Sequence, residues 1–116
     1  MRKLFPILMF AFLGATATLA EPAPGTLQGT VVNAKGKPVA SARVFVQRAD
    51  GTAPRAVKTD AQGHFRTPLL NTGLYDVRAE AAGNWSAWAH NVVLKSGQQP
   101  TVTLKLLRTS PPPANK

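Results

Sequence analysis

From Pro24 onward the apolar residues recur at every second position, and no run at the spacing of a helix interrupts them. Leu27, Gly29 and Val31 alternate with Gln28 and Thr30. Ala42, Val44 and Val46 alternate with Arg43, Phe45 and Gln47, and Tyr75, Val77 and Ala79 with Asp76, Arg78 and Glu80. Val102, Leu104 and Leu106 alternate with Thr101, Thr103 and Lys105. Since successive side chains on a strand point to opposite faces, each run predicts a strand with one face in a core. Turn-forming clusters separate them: NAKGKP at 33–38, ADG at 49–51, TDAQG at 59–63, NTG at 71–73, AAGN at 81–84 and KSGQQP at 95–100. The spacing predicts strands over 26–33, 40–48, 54–59, 63–70, 73–81, 85–94 and 100–107. Seven short strands in so short a chain predict an all-β, antiparallel sandwich.

The corner TDAQGHF, Thr59 to Phe65, decides between chemistry and architecture. An aspartate opening a turn accepts hydrogen bonds from backbone amides a few residues on, which ties the corner without a metal. Gly63 then fills the position needing positive φ, and Phe65 starts the next strand pointing inward. A calcium loop needs further oxygen ligands at close spacing, which Ala61 and Gln62 do not supply. His64 alternates outward with Arg66. As a ligand or base it would need His90 or a carboxylate brought near by the fold. We therefore assign no metal and no cofactor.

The first twenty residues stand apart. Arg2 and Lys3 precede the apolar run Leu4–Leu13, and small residues follow at Ala15, Ala17 and Ala20, the layout of a secretory signal peptide. Cleavage is expected after Ala20, with Ala17 as the rival, giving an exported protein, periplasmic or secreted. Any membrane contact would come only through the uncleaved segment. There are no cysteines, so the fold rests on burial rather than disulfides, and thiolate chemistry is excluded. The remainder keeps all but two of the 14 Lys and Arg and all 5 Asp and Glu. These cations are spread singly, a pattern that favours solubility over nucleic-acid binding. Residues 21–25 are expected to be a flexible start, 26–107 the domain, and 108–116, with its three prolines, a disordered tail.

Four stretches carry a resemblance to a known family: GTVVNAKGKPV at Gly29–Val39, ARVFV at Ala42–Val46, TDAQGHF at Thr59–Phe65 and LLNTGLYDVRA at Leu69–Ala79. In order and spacing they resemble the carboxypeptidase regulatory-like domain, a transthyretin-like (prealbumin-like) Greek-key sandwich. The stretch NWSAWAHNVVL after Gly83 departs from the pattern. The resemblance implies a scaffold whose matching residues are structural: Gly36 and Pro38 in the first hairpin, Asp60, Gly63 and Phe65 at the corner, and Gly73 before Tyr75. The Tyr75 ring should fill the core while its hydroxyl seeks a backbone partner.

No G-x-S-x-G elbow, H-E-x-x-H helix or phosphate loop is present, and Asp76, Arg78 and Glu80 alternate outward as a solvated charge pattern. We therefore expect no enzyme and no catalytic residues. The expected function is protein interaction or structural support in the cell envelope, with strand addition at an open sheet edge as one mode. The alternative is carbohydrate binding by exposed aromatics. Trp85 and Trp88, three apart in one strand, should face opposite sides of the sheet, with Phe45 the companion of whichever is exposed. The partner is accordingly an envelope protein or a polysaccharide.

Overall fold

The computed structural model describes residues 25–113. The expected signal peptide, the start at 21–24 and the last three residues lie outside the described residues. The strands are β1 (Gly25–Val32), β2 (Arg43–Arg48), β3 (Arg55–Lys58), β4 (His64–Leu70), β5 (Gly73–Ala81), β6 (Asn84–Trp85), β7 (Ala89–Leu94) and β8 (Thr101–Lys105). They form two sheets, one ordered β4-β1-β8 and the other β3-β2-β5-β6, with β7 also pairing β5. The chain passes between sheets at β1–β2, β3–β4, β4–β5 and β7–β8, which gives the Greek-key sandwich.

Beyond shifts of a few residues at strand ends, three features differ from the alternation pattern. Gly25, expected in a flexible start, is buried in β1, with no room beside it for a side chain because Leu94 packs there. The strand expected over 85–94 is two, β6 and β7, so the described residues hold eight strands rather than seven. One pairing is also parallel. β8 enters the first sheet beside β1 in the same direction, with Gly29 opposite Val102 and Val31 opposite Leu104, while the other paired strands run antiparallel.

The inward positions of both sheets make one core, in which Leu27, Val31, Val44, Val46, Phe65, Tyr75, Val77, Leu94 and Leu104 are all buried. Burying each such side chain contributes roughly 1.5–3 kcal/mol, so in a chain without disulfides the core carries the stability. Gly29 is what lets the three-stranded sheet close. It lies opposite Phe65 on one side and Val102 on the other, and a Cβ there would sit 2.0 Å from the Val102 carbonyl oxygen and 2.9 Å from the Phe65 ring.

At the β3–β4 corner Asp60 Oδ1 accepts the amides of Gln62 and His64, both at 2.9 Å. The His64 amide, ahead of that of Gln62, holds the carboxyl below the usual carboxylate range, against the opposing effect of burial. Gly63 has φ +79°, and a Cβ on it would lie 2.9 Å from the Val31 carbonyl oxygen. Gly63→Ala is therefore expected to destabilise the fold by about 2 kcal/mol, the upper part of the range for forcing an L-residue into this region. In urea the unfolding midpoint should fall with the slope unchanged. An unchanged midpoint would show that the corner does not need glycine.

Thr59, which opens the corner in the sequence but was given no role there, locks it to the β1–β2 loop. Its Oγ1 accepts from the Ala42 amide at 2.8 Å and donates to the Val39 carbonyl at 2.6 Å. In that loop Asn33 Oδ1 accepts the amides of Lys35 and Lys37, Gly36 has φ +84°, and Pro38 bridges back to Val32. Tyr75 donates its hydroxyl to the Asn71 carbonyl at 2.6 Å and accepts from Arg48 Nη1 at 3.1 Å. Gly73, two residues earlier, lies against the same guanidinium.

Candidate functional site

Alternation turns Val44 and Val46 of β2 into the core and leaves Phe45 on the outer face of the larger sheet. The outward positions of β5 are Leu74, Asp76, Arg78 and Glu80. Register sets Arg78 opposite Phe45, and Glu80 opposite Arg43 on one side and Trp85 on the other. Phe45, Arg78 and Trp85 thus stand side by side across three strands.

Trp88 joins them because the sheet is irregular. Moving from Glu80 to Val77 along β5 takes three steps, but the matching move from Trp85 to Ala89 takes four. The additional residue inverts the alternation. Ser86 fixes the irregularity by donating its amide to the Ala79 carbonyl and accepting the Ala79 amide at Oγ, both at 2.9 Å. The expectation that Trp85 and Trp88 face opposite sides of one strand is therefore corrected, since both rings converge on Arg78.

The Arg78 guanidinium carbon lies 4.5 Å from the Trp88 ring centre, 4.9 Å from that of Trp85 and 5.7 Å from that of Phe45. Phe45 and Trp85 stack at 5.8 Å and 18°. Arg43 packs on Phe45 at 5.5 Å and pairs with Glu80 at 2.8 Å. Each guanidinium–ring contact is worth roughly 0.5–2 kcal/mol, more as water is excluded. Burial lowers the Arg78 pKa, yet a guanidinium stays charged at neutral pH. Among the described residues Arg78 forms no ion pair, and its buried Nε has no hydrogen-bond partner. Its charge is met by rings and one carbonyl rather than by a carboxylate. Glu80, by contrast, is held below the usual carboxylate range by its hydrogen bonds from Arg43 and then from the Gly83 amide.

The segment after β8 returns over this cluster. Leu107 and Arg108 donate their amides to the Trp85 carbonyl at 3.0 and 2.9 Å, and the Trp85 amide donates to the Arg108 carbonyl at 2.7 Å. Farther on, Arg78 Nη1 donates to the Pro112 carbonyl at 3.1 Å and Trp88 Nε1 to the Pro113 carbonyl at 2.8 Å. Pro112 is buried. Over 108–113 the expected disordered tail is instead a docked segment. Three prolines in a row favour an extended helix whose unpaired carbonyls face outward, and this sheet face offers two donors for them.

The other candidate residues are dispersed. Asp60 and His64 border a groove of about 530 Å³ together with Gln28, Thr30, Lys58 and Arg66. His90 lies on the other sheet, its Nδ1 3.3 Å from Asp76 Oδ2 and its ring 6.1 Å from that of Trp88. Asp60, His64 and His90 do not converge. Among the described residues no three His, Asp or Glu side chains are grouped to hold a metal. Asp76 departs from the solvated pattern expected of it, being only 1% exposed. Its Oδ1 accepts the amide of Asn91, the positive-φ residue at a second irregularity where β7 again carries one residue more than β5. Asp50 is held below the usual carboxylate range chiefly by the Thr52 hydroxyl, which donates to it at 2.6 Å, and then by the Thr52 amide.

Sequence reading named Phe45, Trp85 and Trp88 but missed Arg78 at their centre and Pro112 above them. The outward alternation of Arg78 was visible. Its neighbours were not, because they depend on which strands flank β5.

The profile of the carboxypeptidase regulatory-like domain matches residues 26–107. Among the curated proteins none matches the chain. Solved structures share the fold. A candidate carbohydrate-binding protein from Bacteroides uniformis is 18% identical, with a TM-score of 0.55 over 72% of this chain and 41% of its own. The minor pilin of Streptococcus agalactiae is 22% identical, with a TM-score of 0.57 over 80% of this chain and 49% of its own. Catechol 1,2-dioxygenase from Acinetobacter is 14% identical, with a TM-score of 0.56 over 77% of this chain and 54% of its own. The chain thus spans about half the length, or less, of these three proteins.

Proposed function

Because the chain belongs to the carboxypeptidase regulatory-like domain family, we propose that it is a non-catalytic β-sandwich module, exported to the cell envelope, whose outer sheet face binds another protein. The observation that carries this reading is the half-buried cluster of Phe45, Arg78, Trp85 and Trp88 on that face. Aromatic and arginine side chains are the types that dominate binding energy at protein interfaces. On the same face, the register pair Leu74 and Val93 leaves large apolar side chains 45% and 50% exposed. The described carboxylates are engaged structurally: Asp50 and Asp60 by turn amides, Asp76 by the Asn91 amide and Glu80 by Arg43. That use leaves little for acid–base chemistry. The reading of residues 1–20 as a signal peptide supports export.

Glycan binding is the second reading, favoured by the near-parallel rings of Phe45 and Trp85. Against it, Arg78 packs on Phe45, Trp85 and Trp88 alike, so ring surface that would stack on a sugar is already engaged. The likeness to the Bacteroides protein, at 18% identity, carries the fold and not a ligand. Cross-linking in the producing cell with the native chain and with Arg78→Ala separates the two. An envelope protein recovered with the native chain and lost with the variant, at equal thermal stability, supports the proposal. A saturable change in tryptophan fluorescence with an envelope polysaccharide, also lost in the variant, overturns it in favour of the glycan.

A further inference from the structure

We propose that the Arg78 cluster is a reader of proline-rich extended segments, that residues 111–113 are its tethered internal occupant, and that the partner presents a segment of the same chemistry which displaces them. This rests on the reading of the outer face as a protein-binding surface and names what that surface recognises.

Three observations on the docked segment lead there. Its recognition runs through main-chain carbonyls, Pro112 to Arg78 and Pro113 to Trp88, so any chain of the same shape offers the same acceptors. Only one of its three prolines is buried, with Pro111 and Pro113 exposed, as an extended helix of three residues per turn lying on a surface requires. The surface itself is a set of aromatic rings with a few donors, the chemistry by which grooves bind polyproline helices already ordered before binding. A conventional β-ladder cannot perform this task, since proline has no amide proton to donate.

The tether makes the occupant a competitor. Arg108 is fixed to Trp85 by the bridge, and only Thr109 to Pro111 lie between it and the buried Pro112. A short linker holds its ligand at an effective concentration on the order of millimolar. An external segment therefore binds with its affinity reduced by the fraction of time the surface stands open. Three residues are also too few to carry the prolines to a second molecule while the bridge persists, which favours a different protein as the partner over an exchange between copies.

Both tryptophans of the protein lie at this surface, so its fluorescence reports on the site with no background. The test uses the full chain, unsubstituted and with Pro111→Gly, Pro112→Gly and Pro113→Gly together. Each form is titrated with the synthetic peptide TSPPPANK and with a peptide of the same composition in which no two prolines adjoin. The glycine form is expected to show a saturable change with TSPPPANK at least about tenfold tighter than the unsubstituted chain. It should bind the scrambled peptide far more weakly. Trp88→Phe in the glycine background, which keeps a ring but removes the Nε1 donor, is expected to weaken binding while leaving the melting temperature in place. No saturable response in the glycine form, equal affinity in both forms, or equal response to the two peptides each overturns the proposal. Recovery of an Arg78-dependent envelope protein by cross-linking would then leave the protein-binding reading standing alone. A dimer of the unsubstituted chain that the glycine substitutions dissociate would also overturn it, by placing the occupant on a second copy.

Discussion

Replacing Phe65 by alanine will destabilise the protein by about 3–5 kcal/mol, the largest loss expected from a single side chain here. The ring is 4% exposed, stands at the first inward position of β4 and covers Gly29 of β1, which has no side chain of its own to fill the space left behind. Truncation therefore opens a cavity across two adjacent positions instead of one, and the cost of such changes grows with the cavity that remains. Small domains have a total stability of only roughly 5–15 kcal/mol, so the substitution removes a substantial part of it. Urea unfolding followed by circular dichroism measures it. A loss below about 1 kcal/mol would mean that the ring is not a core element.

Gly29→Ala should cost about 3 kcal/mol, the upper end of the range for overpacking, although it adds a single methyl group. The neighbour it meets is backbone: the new Cβ would lie 2.0 Å from the Val102 carbonyl oxygen, and only moving β8 away from β1 relieves that. The damage should be selective. Hydrogen exchange is expected to rise at the amides of β8 and its partner residues in β1, while β2 and β5 in the other sheet keep their protection until global unfolding. Uniform loss of protection across both sheets, or none, would contradict this account of how the sheet closes.

These two residues also show how far the sequence could be read. The alternation around Phe65 and the corner before it were legible, because a strand's inward positions follow from its own residues and Asp60 and Gly63 act within a few residues of one another. Gly29 read only as one more inward position. Its importance comes from Val102, more than seventy residues away, in a parallel pairing that no local pattern announces. The tryptophans illustrate the same limit. Their expected placement on opposite faces followed correctly from an unbroken strand over 85–94, but Ser86 takes over the Ala79 amide and shifts the register by one. A one-residue irregularity inverts every side chain beyond it, and nothing in the composition NWSAW distinguishes that case. Arg78 and Asp76 were read as solvated charges because charge and outward alternation usually mean that. The structure instead covers Arg78 with rings and a proline segment, and Asp76 with the irregular start of β7. The proline run was recognised as an extended helix, while its docking depends on donors from β5 and from the link between β6 and β7.

The place of β8 has one more consequence, for the order in which the molecule can come into being. Its sheet is β4-β1-β8, so the earliest of the described strands to be synthesised lies in the middle and waits for the latest of them before both its flanks are filled. Contacts between the two ends of a chain are slow to form, and here synthesis must also reach Lys105 before they can form at all. Until then the edge of β1 that receives β8 keeps its backbone hydrogen-bonding groups unpaired, a state exposed to capture by a chaperone.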